Sequence, residues 1–312
     1  MREVAELTGD GIAAELREAV HALNEALGSP VSFRAIDWSL ERREASMAAV
    51  GEGVEAALAL GAAMKYPTVT QTVSPNQLLR DMLQLAVIHR PCRSYPGVSK
   101  NYTGKLDLHV VRVATGGTYE DAGHRIGLHS AVSIRLMERL PVEHAAHFAF
   151  RLAERGRHSV VSTSKYTIQR AADGLFEDVV AEVAEEYRNT SHRRELFDSL
   201  LASMIIHPDR YDVIVTPNEY GDFLSDAAYG LIGSIGMGAS ASYAFTASHQ
   251  PSIGVFDPAG GTAPDIAGKG IANPSGALEA YAYLLGYCGH HETGPRIVQA
   301  IHDAIGAGET TP

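Results

Sequence analysis

The chain reads as an α/β protein on the strength of three kinds of segment. Residues 212–216 (DVIVT) carry three apolar residues in succession, Val213-Ile214-Val215, and read as a short strand buried on both faces. Residues 106–114 (LDLHVVRVA) make a second strand-length segment that feeds the turn Thr115-Gly116-Gly117. Around them lie stretches with helical apolar spacing, including residues 175–187 and 196–206. Strand and helix patterns alternating along one chain predict an α/β architecture. In chain order, Gly9-Asp10-Gly11 opens a helix whose stripe is Ile12, Leu16, Ala19, Val20, Leu23 and Leu27. That stripe stops at Gly28, a C-terminal cap, so the chain is expected to begin as turn then helix. Residues 31–36 predict the next strand, and GAGETTP at 306–312 predicts a frayed tail.

At 312 residues, 45% hydrophobic and 20% charged, the chain is long enough for one or two domains with real cores. A formal net charge of -11 argues against sequence-independent nucleic-acid binding, which needs a surplus of Lys and Arg. The two cysteines, Cys92 and Cys288, are far apart, which argues against a disulfide framework or a structural zinc site and fits a reducing cytoplasm. No stretch approaches the roughly 20 apolar residues of a membrane span. A cytoplasmic location without a membrane role is therefore expected.

The chemistry-bearing residues fall into three groups. Lys65, Thr68, Thr70, Ser74, Asn76, Arg80, Arg90 and Arg112 suit a small polyanion, because guanidiniums bind carboxylates bidentately and hydroxyl and amide donors complete the match. Asp222 and Asp226 in GDFLSD stand four apart; if that segment opens a helix, both point the same way and offer hard oxygens to a divalent cation. APDIAGKGIANP at 263–274 combines glycines, a proline-bounded turn, one acid and one amide, as a loop wrapping an adenosine requires. The glycines of LIGSIGMGAS, Gly233, Gly236 and Gly238, lack the Rossmann spacing and are read as packing glycines. His144 and His147 lie three apart without a third ligand nearby in sequence, and are read as surface histidines, as is His290-His291.

Taken together, GDGI, KYPTVT, SPNQLLRDML, HRPCRSYPG, VRVATGGTY, SKYTIQRAADGLF, LFDSLLASMI, TPNEYGDFLSD and APDIAGKGIANP resemble the metal-dependent β-decarboxylating dehydrogenases. That family includes the isocitrate, isopropylmalate, homoisocitrate and tartrate enzymes. The motifs cover nearly the whole chain in order. The resemblance implies a two-lobed fold with a mixed sheet, distinct from the Rossmann fold. Residues 1–88 and 233–312 would form the large cofactor-binding lobe, and residues 89–232 the small lobe with the dimer contact.

It also implies roles. Arg80, Arg90 and Arg112 would hold substrate carboxylates, with Lys65, Thr68, Thr70, Ser74, Asn76 and Thr167 as further substrate contacts. Tyr119 and Lys165 would be the acid/base pair, and Asp198, Asp222 and Asp226 would surround Mg²⁺ or Mn²⁺. Gly261, Thr262, Ala263, Asp265 and Asn273 would hold NAD, since a carboxylate at Asp265 suits ribose hydroxyls and repels a 2'-phosphate. Lys165, Thr167 and Asp198 would reach the neighbouring subunit's site, which implies a homodimer. Asp198 lies on a largely apolar segment, where a charge needs a partner.

Ser74 and Asn76 look like isocitrate dehydrogenase, because they can hydrogen-bond a third carboxylate where an isopropyl group needs apolar neighbours. VRVATGGTY is closer to the isopropylmalate pattern. Where the family usually carries a His beside the adenosine, this chain has Gly260, so weaker NAD binding is expected. Asp257 replaces the usual Glu, Tyr166 a smaller residue, and Val113 a common acid. The expected activity is NAD-dependent oxidative decarboxylation of isocitrate or a close analogue. The alternatives are the same chemistry on a phosphonate analogue, isopropylmalate, malate or tartrate, or a non-catalytic regulatory subunit.

Overall fold

A computed structural model describes residues 2–46, 48–71, 74–98, 105–233 and 235–308. Its first half contains β1 (Arg2–Leu7), α1 (Ala13–Ala26), β2 (Val31–Ile36), α2 (Leu40–Ala45), α3 (Ala48–Leu60), β3 (Ala62–Lys65), α4 (Pro75–Leu83), β4 (Val87–Arg93), β5 (Asp107–Val113), β6 (His124–Ile126), β7 (Ser130–Val132) and α5 (Arg139–Ala153). The second contains β8 (Ser159–Ser164), α6 (Ala172–Ala184), β9 (Ser191–Leu196), α7 (Phe197–Ile206), β10 (Val213–Thr216), α8 (Asn218–Ile232), β11 (Ala239–Phe245), β12 (Pro251–Pro258), α9 (Ser275–Tyr287) and α10 (Thr293–Gly306). Gly306, read as the start of a frayed tail, closes α10, and the end of that tail lies outside the described residues.

Ten strands form one sheet in the order β2-β1-β3-β12-β11-β4-β5-β10-β8-β9. Both wings are parallel, and the pairs β12/β11, β11/β4 and β4/β5 between them are antiparallel, so the sheet is mixed as expected. The expected lobe boundary at 88/89 falls inside β4. β6 and β7 form a separate exposed hairpin. β10 is buried at every position, which is why Val213-Ile214-Val215 is apolar.

The chain opens with a strand rather than a turn. The REVAEL segment hides β1 from a pattern reading because Glu6 sits fully buried in it. Its carboxylate is satisfied by Arg17 Nε at 2.8 Å, His21 Nε2 at 2.6 Å and the Tyr66 hydroxyl at 3.2 Å, so a charge in the strand is tolerated. The packing role read for LIGSIGMGAS holds at Gly238, where an added Cβ would lie 2.5 Å from the Tyr229 ring. His144 and His147 depart from the surface reading. Both are buried on α5, and His249, more than a hundred residues away in sequence, supplies the contact: His144 Nδ1 to His249 Nδ1 is 2.9 Å, and the His147 ring stacks on His249 at 4.3 Å. Among the described residues no group of three His, Cys, Asp or Glu is placed to hold a metal ion.

Candidate active site

β4 and β5 set the first corner of the site. Ile88 pairs with Arg112 and Arg90 with Val110, so strand alternation places Arg90 and Arg112 on one face of the sheet. α8 crosses that face, and Gly221 is what allows the close approach: a Cβ there would lie 2.6 Å from the Arg112 side chain. GDFLSD lies within α8 rather than opening it, but the four-residue spacing has the expected effect. Arg90 Nη1 reaches Asp222 at 3.3 Å and Asp226 at 3.2 Å, and donates to Ser225 Oγ at 2.7 Å. Arg112 Nη1 pairs with Asp222, while its Nε donates to Asn218 Oδ1 at 2.8 Å. The Tyr119 hydroxyl donates to Asp222 Oδ2 at 3.2 Å, and the Arg112 guanidinium lies 5.8 Å from its ring.

These charges shape one another. Burial pulls Arg112 down to about 10, opposed by Asp222, so it stays charged at neutral pH. Burial also lowers Arg80, opposed by Asp81 and Asp222. The Arg80 guanidinium makes no hydrogen bond or ion pair among the described residues, which leaves it open to an anion. Burial, reinforced by Asp222, raises Tyr119 above the usual tyrosine range, so its proton is retained.

α4 brings the next donors. Ser74 caps it by accepting from Gln77 N at 3.3 Å, and Pro75 occupies its first turn. The Ser74 hydroxyl proton, the exposed Asn76 and the helix N-terminus form an anion-ready end, and Arg80 lies one turn beyond Asn76. Thr70 is exposed. Thr68 Oγ1 and Arg90 Nε are buried without a hydrogen-bond partner among the described residues, as expected of atoms that await a ligand. Lys65 is buried and committed elsewhere: its Nζ donates to Tyr66 O at 3.1 Å and faces Asp257 at 3.5 Å, and burial lowers its pKa.

Lys165 and Asp198 form a second corner. Lys165 Nζ lies 2.7 Å from Asp198 Oδ1, and that hydrogen bond holds Asp198 below the usual carboxylate range. The partner sought for Asp198 is thus Lys165, although Asp198 is exposed rather than buried in an apolar face. Thr167 and Ile168 beside it are exposed, Ile168 by 72%. Among the described residues no hydrogen bond or ion pair joins Lys165 or Asp198 to Asp222, Asp226, Arg80, Arg90 or Arg112.

The cofactor candidates line a third loop, which the N-terminal turn pins. Ile12 N donates to Thr262 O at 3.0 Å, and a Cβ on Gly11, whose φ is +61°, would lie 2.0 Å from the same oxygen. Glu15 accepts from Gly268 N at 2.6 Å and Ala272 N at 3.4 Å. Asn273 Oδ1 accepts from Ser275 N at 2.9 Å, and a Cβ on Gly261 would meet open space. Ala263 has a left-handed φ of +38°, and Asp265 is exposed. Asp10 ties this turn to the substrate loop: Val69 N donates to Asp10 Oδ2 at 2.8 Å, as does Arg43 Nη2, and Leu40 N donates to Oδ1 at 2.6 Å.

Asp10, Glu15, Arg43 and Asn218 have no role assigned from sequence, yet Asn218 orients Arg112 in the first corner, Glu15 holds the 263–274 loop, and Asp10 and Arg43 fix the loop at Val69. Asn218 also donates to Ala114 O at 3.2 Å and Gly116 O at 3.1 Å, fixing the loop that carries Tyr119. Its signal lay in TPNEYGDFLSD, where it precedes the metal-candidate acids by one helical turn.

Arginines around a carboxylate pair, an anion-ready helix end and a pinned acidic loop on one mixed sheet define a decarboxylating dehydrogenase of the NAD-linked, divalent-metal class. Residues 3–312 match the isocitrate/isopropylmalate dehydrogenase family, and the chain belongs to it. It is 32% identical to a probable isocitrate dehydrogenase [NAD] subunit alpha, mitochondrial, of Caenorhabditis elegans, over 99% of this chain and 86% of that protein. It is 32% identical to a 3-isopropylmalate dehydrogenase of Archaeoglobus fulgidus, over 100% and 94%, and 34% identical to an isocitrate/homoisocitrate dehydrogenase of Thermus thermophilus, over 98% and 91%. The solved isocitrate dehydrogenase from Methylococcus capsulatus superposes with a TM-score of 0.87 at 31% identity, covering 99% of this chain and 92% of that one.

The residues fit the groups this class uses. Asp222 and Asp226 supply two hard carboxylates from one helix face, with the arginines holding them in place. The 263–274 loop presents backbone and one exposed acid on a fixed frame.

Proposed function

We propose that the protein oxidises and decarboxylates isocitrate or a close isocitrate-like 2-hydroxy acid with NAD, as a homodimer with shared active sites. The observation that carries the substrate reading is the polar end of α4. Ser74 caps the helix, Asn76 is exposed beside it, and Arg80 lies unpaired one turn on, a set that suits a third carboxylate and leaves an isopropyl group without apolar contacts. A phosphonate in place of that carboxylate would satisfy the same donors. Arg90, Arg80 and Arg112 would take the remaining carboxylates, displacing Asp222 from its present pairing with the guanidiniums.

When bound, the divalent metal would polarise the substrate oxygen and NAD would accept the hydride. Asp222 and Asp226 would hold the metal with Asp198 of the opposite subunit as the third carboxylate. Lys165 would take the hydroxyl proton, and Tyr119 would return a proton to the carbon that loses CO₂. The raised Tyr119 fits that duty, because an acid must keep its proton at working pH.

The exposed apolar surface supports the dimer. Ile126, Leu128, Ile134, Ile168, Ile206 and Phe223, all within residues 89–232, are each more than half exposed; Ile168 follows Lys165 by three residues and Phe223 lies on α8 between Asp222 and Asp226. In this reading residues 1–88 and 233–312 carry the cofactor and residues 89–232 the dimer contact. Asp265 makes NAD preferred over NADP. The described residues include no helix long and apolar enough to cross a membrane, and both cysteines are unpaired, which supports a cytoplasmic enzyme.

The test is nucleotide reduction by purified protein with Mn²⁺ and a panel of 2-hydroxy acids, each offered NAD and NADP. Rapid, chelator-sensitive reduction of NAD on isocitrate is expected. Activity on isopropylmalate with silence on isocitrate would contradict the α4 argument, and silence on every acid would favour a regulatory subunit.

A further inference from the structure

We propose that the chain carries a second small-molecule site, for a flat aromatic anion, on the opposite face of the sheet from the active site. Alternation along β4 turns His89 and Arg93 to the side away from Arg90, and there β4, β5, β11, α5, α9 and α10 enclose a cavity of about 1160 Å³. That volume is ample for one drug-sized ligand.

Its lining has two parts. Aromatic rings form the floor, with Phe148, Tyr243, Tyr283 and Tyr287 packed at centroid distances of 5.1 Å for Phe148/Tyr243 and 6.1 Å for Tyr243/Tyr287. The Tyr243 hydroxyl makes no hydrogen bond among the described residues, and it is not one of the sealed atoms left without a partner. It is therefore open to the cavity, which presents a free polar group as well as a stacking surface.

The rim is cationic. Arg93, Lys105, Arg151 and Arg155 line it against one carboxylate, Asp107, in a chain whose net charge is -11. Arg93 is committed to Asp107 at 3.1 Å and Glu279 at 3.3 Å, and Arg151 donates to His249 O. Arg155 has no ion pair or side-chain hydrogen bond among the described residues. Arg155 and Tyr243 line the same cavity, so the free guanidinium and the tyrosine hydroxyl face one space. A ring seated on the tyrosines with its carboxylate, phosphate or sulfonate on Arg155 satisfies both.

The probe is 8-anilinonaphthalene-1-sulfonate, a flat aromatic sulfonate, titrated by fluorescence into the full-length protein. One saturable site per chain is expected, with Arg155→Glu weakening it about tenfold or more, the scale of a lost charge-assisted contact. Gly286→Trp is the blocking variant. Gly286 lines the cavity, and a Cβ there meets nothing within 4 Å, so the indole enters the void without straining α9 and removes binding. Circular dichroism checks that Gly286→Trp is folded; if it is not, the surface substitution Arg155→Glu decides alone. Absence of a saturable site, or probe affinity unchanged by Arg155→Glu or by folded Gly286→Trp, would overturn the proposal.

Discussion

The two corners of the active site differ in how finished they are. Arg90, Arg112, Tyr119, Asp222 and Asp226 form a connected set within one chain, with Arg112 3% exposed and oriented by Asn218. The Lys165 and Asp198 side chains have only each other as ionic partners among the described residues: they are half-buried or exposed, and Thr167 and Ile168 beside Lys165 face outward. The first set holds its geometry through its two buried guanidiniums, each with more than one partner, although Asp222 and Asp226 themselves reach 31% and 61% exposure. An exposed Lys–Asp pair flanked by apolar groups lacks that constraint, and acquires it if a second subunit covers it. On the proposed dimer, the candidate catalytic groups of this chain would divide into a half that folding completes and a half that association completes.

The largest expected effect lies in the unfinished half. Lys165→Met should lower kcat about a thousandfold, the scale of a lost general base, and leave KM nearly unchanged. A steady-state assay that found only a KM effect would reduce Lys165 to a substrate contact. Next comes Arg112→Ala, which leaves Asp222 without its closest partner. A loss of about 3 kcal/mol in transition-state binding is expected, read as more than a hundredfold in kcat/KM, because a charge-assisted contact to a substrate carboxylate is removed.

Tyr119→Phe should cost about a hundredfold in kcat. Its raised pKa puts the alkaline fall of wild-type activity above the ordinary tyrosine value of about 10, since the acid is lost only as pH rises through the folded-state value. That limb should vanish in the Phe variant, and a kcat profile shows whether it does. Gly11→Ala drives a Cβ into Thr262 O and strains a left-handed φ, so a loss of about 1–3 kcal/mol of stability is expected, with weaker NAD binding, in thermal melts and calorimetry. The smallest effect is a gain: Gly260→His should tighten NAD up to about tenfold by restoring contact beside the adenosine. Unchanged affinity would show that the loop already compensates.

Much of this was legible in the sequence. β10 announces itself because a doubly covered strand is apolar at its centre, β5 because a strand-length segment feeds a glycine turn, and α1 because its stripe ends at a glycine. β1 was hidden because Glu6 is neutralised by Arg17, His21 and Tyr66, partners that only the fold brings near. The same limit hid His249 from the reading of His144 and His147. Within the site, residues expected to touch substrate stood out by type, whereas Asp10, Glu15 and Asn218 act by holding backbone, and a lone acid or amide in a turn gives no sign of which loop it will pin. Lys65 shows the converse: a lysine among substrate-type residues, yet buried against Asp257 and Tyr66 O.

The central claim is that each active site takes Asp222 from one subunit and Lys165 from the other. Subunits carrying Lys165→Met and Asp222→Asn, each inactive alone, should be co-expressed and assayed as the mixed population. If sites are shared, every mixed dimer holds one intact site, and activity should return to about a quarter of wild type, the statistical yield for a two-fold dimer. Activity no higher than that of either variant alone would place both groups of each site in a single chain and contradict the division into two halves.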